Sequence, residues 1–317
     1  MSKKLRIVFM GTPDFAVETL KQLLAAGKNV VGVITAPDRP AGRGRKLRPS
    51  PVKKFAQDAN LPILQPKNLK DEAFLSELKA LNATLQIVVA FRMLPKSVWA
   101  MPEYGTFNLH ASLLPQYRGA APINWAIINQ EKITGATTFF IDEKIDTGAI
   151  IEKREIPIEE HETAGSLHDK LMTMGAELVL HTVGLIEDGN AYPKAQDVET
   201  PLKNAPKLTS ENTRIDWNKS AAEVEAFVRG LSPFPVAWTH MKQGNDEPVL
   251  IKVYNAGAIS KKISDIPGTM EVGKKELLVA CGEGSLSITE LQLPGKRKMD
   301  TASLLNGFQF ENDAKLL

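Results

Sequence analysis

The start of the chain restricts its fold more than any other stretch. Leu5-Arg6-Ile7-Val8-Phe9-Met10 is an apolar run that stops at Gly11-Thr12-Pro13-Asp14. Apolar residues then recur at helical spacing (Phe15, Val17, Leu20, Leu23, Leu24) as far as Gly27, and a second apolar run covers Val30 to Thr35. Pro13 and Asp14 are helix-start signals, and Gly27 stands where a terminating glycine belongs. Two strands separated by one helix pair in parallel, because the chain must cross over to begin the second strand at the same end as the first. The alternation continues, with helices expected from Pro51 to Asn60 and from Asp71 to Leu81, a short strand from Pro62 to Gln65 and a buried strand from Leu85 to Phe91. Strands at Thr106 to His110 and Thr137 to Ile141 flank a helix from Pro122 to Gln130, and a long helical stretch runs from Thr163 to Glu187. The expected fold class is α/β, with a Rossmann-like, mostly parallel sheet.

The pattern changes at Asp188-Gly189-Asn190. A stretch punctuated by Pro193, Pro201 and Pro206 has no periodicity and reads as a linker. Beyond it come a helix near Ser220 to Gly230 and five short strand candidates between Val236 and Gln292, separated by glycine or proline. Many short strands in so little chain fit a small barrel, with an OB-like barrel the best match in size. The expected organisation is therefore a domain over 1–189, a linker over 190–208 and a second domain over 209–317.

The sequence argues against several function classes. No apolar run approaches the ~18 residues of a membrane span, and the amino-terminal run is too short for a secretory signal. One cysteine, Cys281, allows no internal disulfide and no multi-cysteine zinc site. The five histidines include no pair at i, i+4 and no H-E-x-x-H, so no metal is expected. The first loop lacks the second and third glycines of a dinucleotide fingerprint, and no phosphate-binding G-x-x-x-x-G-K-[ST] loop occurs. The expectation is a soluble protein of the reducing cytoplasm. Charge is distributed unevenly. Arg39, Arg43, Arg45, Lys46, Arg48, Lys53 and Lys54 fall within sixteen residues that contain no acid, while the rest of the first 206 residues holds 18 basic against 23 acidic. Such a segment suits a polyanionic partner, and it equally suits a solvated loop.

The strongest local signal is Asn108-Leu109-His110-Ala111-Ser112-Leu113-Leu114-Pro115, continued by Gln116-Tyr117-Arg118-Gly119. On a strand, Asn108 and His110 point to the same face. They lie at its carboxyl end, where open α/β sheets bind ligands. An amide donor beside an imidazole can hold an oxyanion and move a proton, although the bare pair also fits a structural strand end. The loop Ile141-Asp142-Glu143-Lys144-Ile145-Asp146-Thr147-Gly148 leaves one strand and enters the next, which allows Asp146 to reach the imidazole. Aspartates before glycine are also ordinary turn formers.

Taken together, the order and spacing of Asn108, His110, Ser112-Leu113-Leu114-Pro115, Tyr117-Arg118-Gly119 and Asp146 resemble the site of the folate-dependent formyltransferases. Phe9-Met10-Gly11-Thr12-Pro13-Asp14-Phe15-Ala16, Gly119-Ala120-Ala121-Pro122 and Arg214-Ile215-Asp216-Trp217 extend the resemblance over essentially the whole chain. It implies a formyltransferase fold and formyl transfer from 10-formyltetrahydrofolate to an amine. Asn108, His110 and Asp146 would be the catalytic set. Phe91, Ser112, Leu113, Leu114, Pro115 and Asp142 would bind the folate. Ala36 to Leu47 resembles the RNA-contacting loop of members whose acceptor is the methionine of initiator methionyl-tRNA. That assigns Arg39, Arg43, Arg45, Lys46 and Arg48 to tRNA and makes the second domain a further tRNA surface. A monomer is implied. Where many members carry Tyr-Gly after the central strand, this chain reads Ala90-Phe91-Arg92-Met93. An amino sugar or other small amine as acceptor, hydrolysis of the formyl donor, and a catalytically silent RNA-binding protein are the alternatives.

Overall fold

The computed structural model of the chain describes residues 4–41, 46–197 and 201–317, and it separates into two compact units. The first comprises residues 1–119, 134–156 and 168–204; the second comprises 120–133, 157–167 and 205–317.

In chain order the first elements are β1 (Ile7–Gly11), α1 (Asp14–Ala25), β2 (Val30–Ile34), β3 (Arg39–Ala41), β4 (Lys46–Arg48) and α2 (Pro51–Asp58). They are followed by β5 (Ile63–Leu64), α3 (Glu72–Ala80), β6 (Leu85–Val89), α4 (Lys96–Trp99), β7 (Thr106–His110) and β8 (Arg118–Gly119). Next come α5 (Pro122–Ile128), β9 (Ile133–Phe140), β10 (Ile150–Pro157), α6 (Ala164–Glu187) and β11 (Asn204–Ala205).

The sheet of the first unit has the order β10-β9-β7-β6-β1-β2-β5. β1 pairs in parallel with both β2 and β6, and all five of its residues are buried. A strand covered on both faces needs a continuous apolar run rather than an alternating one, which is what Ile7 to Met10 supplies. β5 and β7 extend the parallel set at the two sides, while β9 runs antiparallel to β7. From β1 the chain builds outward through β2 and β5, then returns to add β6 and β7 on the other side. Such a reversal opens a crevice at the carboxyl ends of the central strands. Local chemistry sets the helix ends. Ser50 caps α2 by accepting from the Lys53 N–H, Asp71 caps α3 by accepting from the Phe74 N–H, and α1 stops at Gly27, whose φ is +68°. The mostly parallel α/β sheet read from the sequence is therefore present, and β9 begins four residues earlier than its apolar pattern indicated.

The second unit holds α5 and, further along, α7 (Ala221–Leu231), β12 (Ala237–Lys242), β13 (Val249–Ile259) and β14 (Met270–Val272). It is completed by β15 (Leu277–Ala280), β16 (Ser285–Gln292), β17 (Met299–Asp300), α8 (Thr301–Leu305) and β18 (Lys315–Leu316). The sheet order β14-β15-β16-β13-β12-β18 is nearly closed into a barrel, because Thr269 bridges Lys315 and the Leu316 N–H donates to Gly268 O at 2.9 Å. Val253, Leu277, Val279, Leu286, Ile288 and Leu291 fill it, packed with Val224, Val228 and Leu231 from α7. Trp217 is buried there with its indole N–H donating to Thr239 Oγ1 at 3.0 Å. The barrel expected after the linker is thus a real sheet of short antiparallel strands. Ser220 and Glu223 form a reciprocal capping box at the start of α7.

Candidate active site

Asn108 and His110 occupy the carboxyl-terminal half of β7, opposite Phe139 and Thr137 of β9. Strand alternation puts both on one face. Asn108 is half-buried, whereas His110 is buried, with 6% of its surface exposed. The His110 Nε2 lies 2.8 Å from Tyr117 O. A carbonyl can only accept, so Nε2 carries the proton and Nδ1 is the nitrogen left for chemistry. Tyr117 presents that carbonyl from a left-handed backbone, φ +59°.

Asp146 comes to the imidazole from the loop between β9 and β10. Its Oδ2 is 3.8 Å from His110 Nδ1 and accepts the Gly119 N–H at 2.9 Å. A separation of 3.8 Å is too long for a direct hydrogen bond, yet it leaves the carboxylate and the imidazole facing one another at one point of the rim. It also lets both groups address one reacting atom. Asp146 adopts φ +56°, a region that aspartate tolerates better than most residues. Its loop is tied down from outside: Gln196 donates its side-chain N–H groups to Asp146 O and Gly148 O, both at 2.9 Å. Gln196 Oε1 in turn accepts from Arg118 Nη2 at 2.6 Å.

The segment after β7 is a fixed turn. Ser112 is fully buried and its hydroxyl donates to Gln116 O at 2.7 Å, so it closes the turn and is not available as a nucleophile. Thr137 Oγ1 donates to Ser112 O at 2.7 Å and accepts the Leu114 N–H at 3.1 Å. Leu114 is buried, the Leu114–Pro115 peptide is cis, and Leu113 and Pro115 remain half-exposed. The exposed Asp142 carboxylate accepts from Thr147 Oγ1 at 2.7 Å and from the Lys144 N–H at 2.9 Å, which helps to fix the shape of its own loop.

At the end of β6, Phe91 is half-buried against the apolar cluster that includes Met10, Val88 and Leu94. The Arg92 guanidinium lies 5.7 Å from the centre of the Phe91 ring and donates to Lys67 O at 2.9 Å and to Pro66 O. Where the family pattern has Tyr-Gly, this chain thus has an aromatic ring under a cation that braces the neighbouring segment. Burial, and secondarily the positive charge of Arg39, lowers the pKa of Arg92.

Arg39 and Arg48 are directly paired across the β3–β4 hairpin, and both are exposed. Like charges opposite one another repel, so the hairpin concentrates positive potential toward solvent. Arg43 and Arg45 lie outside the described residues, as does the side chain of Lys46. Lys53 is already committed, since its ammonium binds Asp38 at 2.7 Å. A hydrogen bond from Gln65, then one from Lys53, holds the Asp38 carboxyl below the usual carboxylate range.

The fold brings Asn108, His110 and Asp146 to one rim, together with the Gly119 N–H, the Tyr117 carbonyl and the Gln196–Arg118 pair. Tyr117 and Gly119 belong to the continuation of the Asn-x-His motif. Gln196 has no sequence signal, because it lies in the stretch that reads as linker. Among the described residues no group of three or more His, Cys, Asp or Glu is placed to hold a metal ion, and no helix is long and apolar enough to cross a membrane.

Comparison with known proteins gives two family matches, Formyl transferase over residues 5–183 and Formyl transferase, C-terminal domain, over residues 207–309. A methionyl-tRNA formyltransferase of Flavobacterium johnsoniae is 56% identical over 99% of both chains. Among solved structures, an N-formyltransferase of Helicobacter canadensis, in complex with folinic acid and dTDP-3-aminofucose, has a TM-score of 0.66 at 19% identity and covers 93% of this chain and all of its own. HypX of Aquifex aeolicus, in complex with tetrahydrofolic acid, has a TM-score of 0.64 at 18% identity over 96% of this chain, which spans only 47% of HypX.

Proposed function

The chain belongs to the formyl transferase family, and we propose that it transfers the formyl group of 10-formyltetrahydrofolate to the α-amino group of methionine on initiator tRNA. The product is N-formylmethionyl-tRNA, used to begin translation. The observation that carries the chemistry is the approach of Asp146 Oδ2 to within 3.8 Å of His110 Nδ1, one rung beyond Asn108 on β7. The acceptor is taken from the relative that is 56% identical along its full length.

The amine nitrogen attacks the formyl carbon and the carbonyl electrons move onto oxygen. The Asn108 amide and His110, protonated or hydrogen-bonded, hold that oxyanion. Preorganised donors aimed at a developing charge are among the largest contributors to acyl-transfer catalysis. Asp146 accepts the proton the amine must lose. The leaving nitrogen of the folate takes that proton back from Asp146 as the carbon–nitrogen bond breaks, and the oxyanion collapses to the new formamide. Phe91, Leu113 and Pro115 leave apolar surface at the strand ends against which a planar pterin packs. Ser112 and Leu114 set the turn between them, and Asp142 holds the loop opposite. Arg39, Arg43, Arg45, Lys46 and Arg48 contact acceptor-stem phosphates, the role that suits the exposed, facing charges of Arg39 and Arg48. The second unit, taken as the domain over 209–317, adds a broader tRNA surface, with 1–189 as the catalytic domain and 190–208 as the connection. The enzyme works as a cytoplasmic monomer.

The deciding experiment follows isotope-labelled formyl from 10-formyltetrahydrofolate with charged initiator tRNA, an amino sugar, or no acceptor. Label on methionyl-tRNA is the expected result. Label on the sugar would move the function to small amines, and formate release without tRNA would make the protein a hydrolase.

A further inference from the structure

The loop bearing Asp146 is shaped from within by Asp142, but nothing inside it binds the backbone carbonyl of Asp146 itself among the contacts described. The residue has a left-handed backbone, and Thr147 is engaged with Asp142 inside the same loop. What fixes it comes from fifty residues away. Gln196 places its side-chain nitrogen between Asp146 O and Gly148 O, 2.9 Å from each. The only amide orientation that satisfies both carbonyls leaves Oε1 facing away, where Arg118 meets it with Nη2 at 2.6 Å and Nε at 3.2 Å. Arg118 thereby fixes the amide's direction. Arg118 is followed by Gly119, whose N–H binds the Asp146 carboxylate at 2.9 Å. Two residues before Gln196, Lys194 pairs with Ile150 through N–H···O bonds of 2.8 Å in both directions, which anchors the strap to the far end of the loop. The carboxylate and the two carbonyls of this turn are therefore held by one connected set.

We propose that Gln196, oriented by Arg118, is a positioning residue that fixes Asp146 relative to His110 during formyl transfer. The proposal rests on the reading that Asp146 and His110 serve that reaction. The Gln196 amide is spent on Asp146 O, Gly148 O and the Arg118 guanidinium. Its whole contribution passes through the placement of Asp146, so it affects the chemical step and not binding.

The test uses two variants of the full chain, Gln196→Met and Gln196→Glu, in single-turnover formyl transfer to methionyl-tRNA. Methionine matches the length and has no donor. Glutamate keeps the partnership with Arg118 and so guards against loss of the strap, but likewise offers nothing to the two carbonyls. Because a catalytic group displaced by about 1 Å loses ~10²-fold in rate, both variants should lose ~10- to 100-fold in kcat. The KM values for folate and tRNA should stay within about twofold, since uniform binding is untouched. Asp146→Asn is measured alongside, alone and combined with Gln196→Met. In the double variant the Gln196 change should cost almost nothing further, as expected for residues acting in series. Normal kcat in both Gln196 variants, a change confined to KM, or a loss that multiplies fully in the double variant would each overturn the proposal while leaving the catalytic role of Asp146 standing. Wild-type turnover in Asp146→Asn would overturn the underlying assignment, and the positioning role with it.

Discussion

Gly148 offers a sharp perturbation of the site that alters no polar side chain. It closes the loop between β9 and β10, and its backbone passes so near the end of β9 that a Cβ built on it would stand 1.7 Å from Phe140 O and 2.9 Å from Phe140 C. Real Cβ atoms essentially never come closer than 3.0 Å to such an atom. In Gly148→Ala one backbone must therefore retreat by more than ~1 Å, and the loop yields more readily than a strand paired on the buried sheet. Asp146 travels with it, two residues away, and the carbonyl of residue 148 moves off the Gln196 amide. A shift of this size at a catalytic group costs ~10²-fold in rate, and overpacking of the kind costs ~1–3 kcal/mol of stability. The assay is steady-state formyl transfer to methionyl-tRNA together with thermal unfolding. Gly148→Ala should fold, melt a few degrees lower, and lose about two orders of magnitude in kcat. Wild-type kcat in a folded Gly148→Ala protein would refute the claim that this loop is seated against β9 and that its seating sets the chemistry.

Gly184 gives the opposite case. It lies inside α6 with nothing within 4 Å of the position a Cβ would take, so Gly184→Ala should raise stability by ~0.5–1 kcal/mol, read as a higher unfolding midpoint; a lower midpoint would contradict open space there. Cys281 is fully buried, and burial pushes its thiol up to about 11. At pH 8 it should resist alkylation in the native protein and react only on unfolding, with rapid native labelling as the contrary result. Ser220→Ala should destabilise the barrel unit by ~1 kcal/mol at neutral pH by removing the α7 cap. The hydrogen bond from the Ser220 side chain, then that from its backbone, holds the Glu223 carboxyl below its ordinary value. A depressed carboxylate stabilises the fold above its unfolded pKa and loses that contribution as pH falls through its folded one. Wild type therefore loses more than the variant as pH falls below ~4.5, and the gap in denaturation midpoint should narrow. A gap that is constant or widens would count against the capping box.

The parts of this structure legible in the sequence are those built from local pattern. Ile7 to Met10 reads as a buried parallel strand because burial on both faces demands an unbroken apolar run. Asn108 and His110 share a face because strand geometry alternates. The acidic loop lies near them because β9 is the neighbour of β7. Other features depend on single long-range contacts that leave no period behind. Gln196 sits among Pro193, Pro201 and Pro206, and nothing about one glutamine in such a stretch says that it reaches back fifty residues to two carbonyls. β18 is two residues long, too short for any alternation, yet Lys315 and Leu316 complete the barrel by meeting Thr269 and Gly268. The left-handed backbones of Ala90, Tyr117 and Asp146 are equally silent, since none is a glycine. Ser112 lies two residues after His110, and burial commits its hydroxyl to Gln116 O.

We propose that the Asn108 amide and the His110 imidazole hold the oxygen of a formyl group on its way from folate to the methionine amine. It is tested most directly by the single-turnover rate of labelled formyl transfer from 10-formyltetrahydrofolate to methionyl-tRNA in Asn108→Ala protein, compared with wild type at saturating substrates. Loss of one oxyanion donor should slow that step by ~10²–10³-fold with the fold intact. A rate within a few-fold of wild type would contradict it.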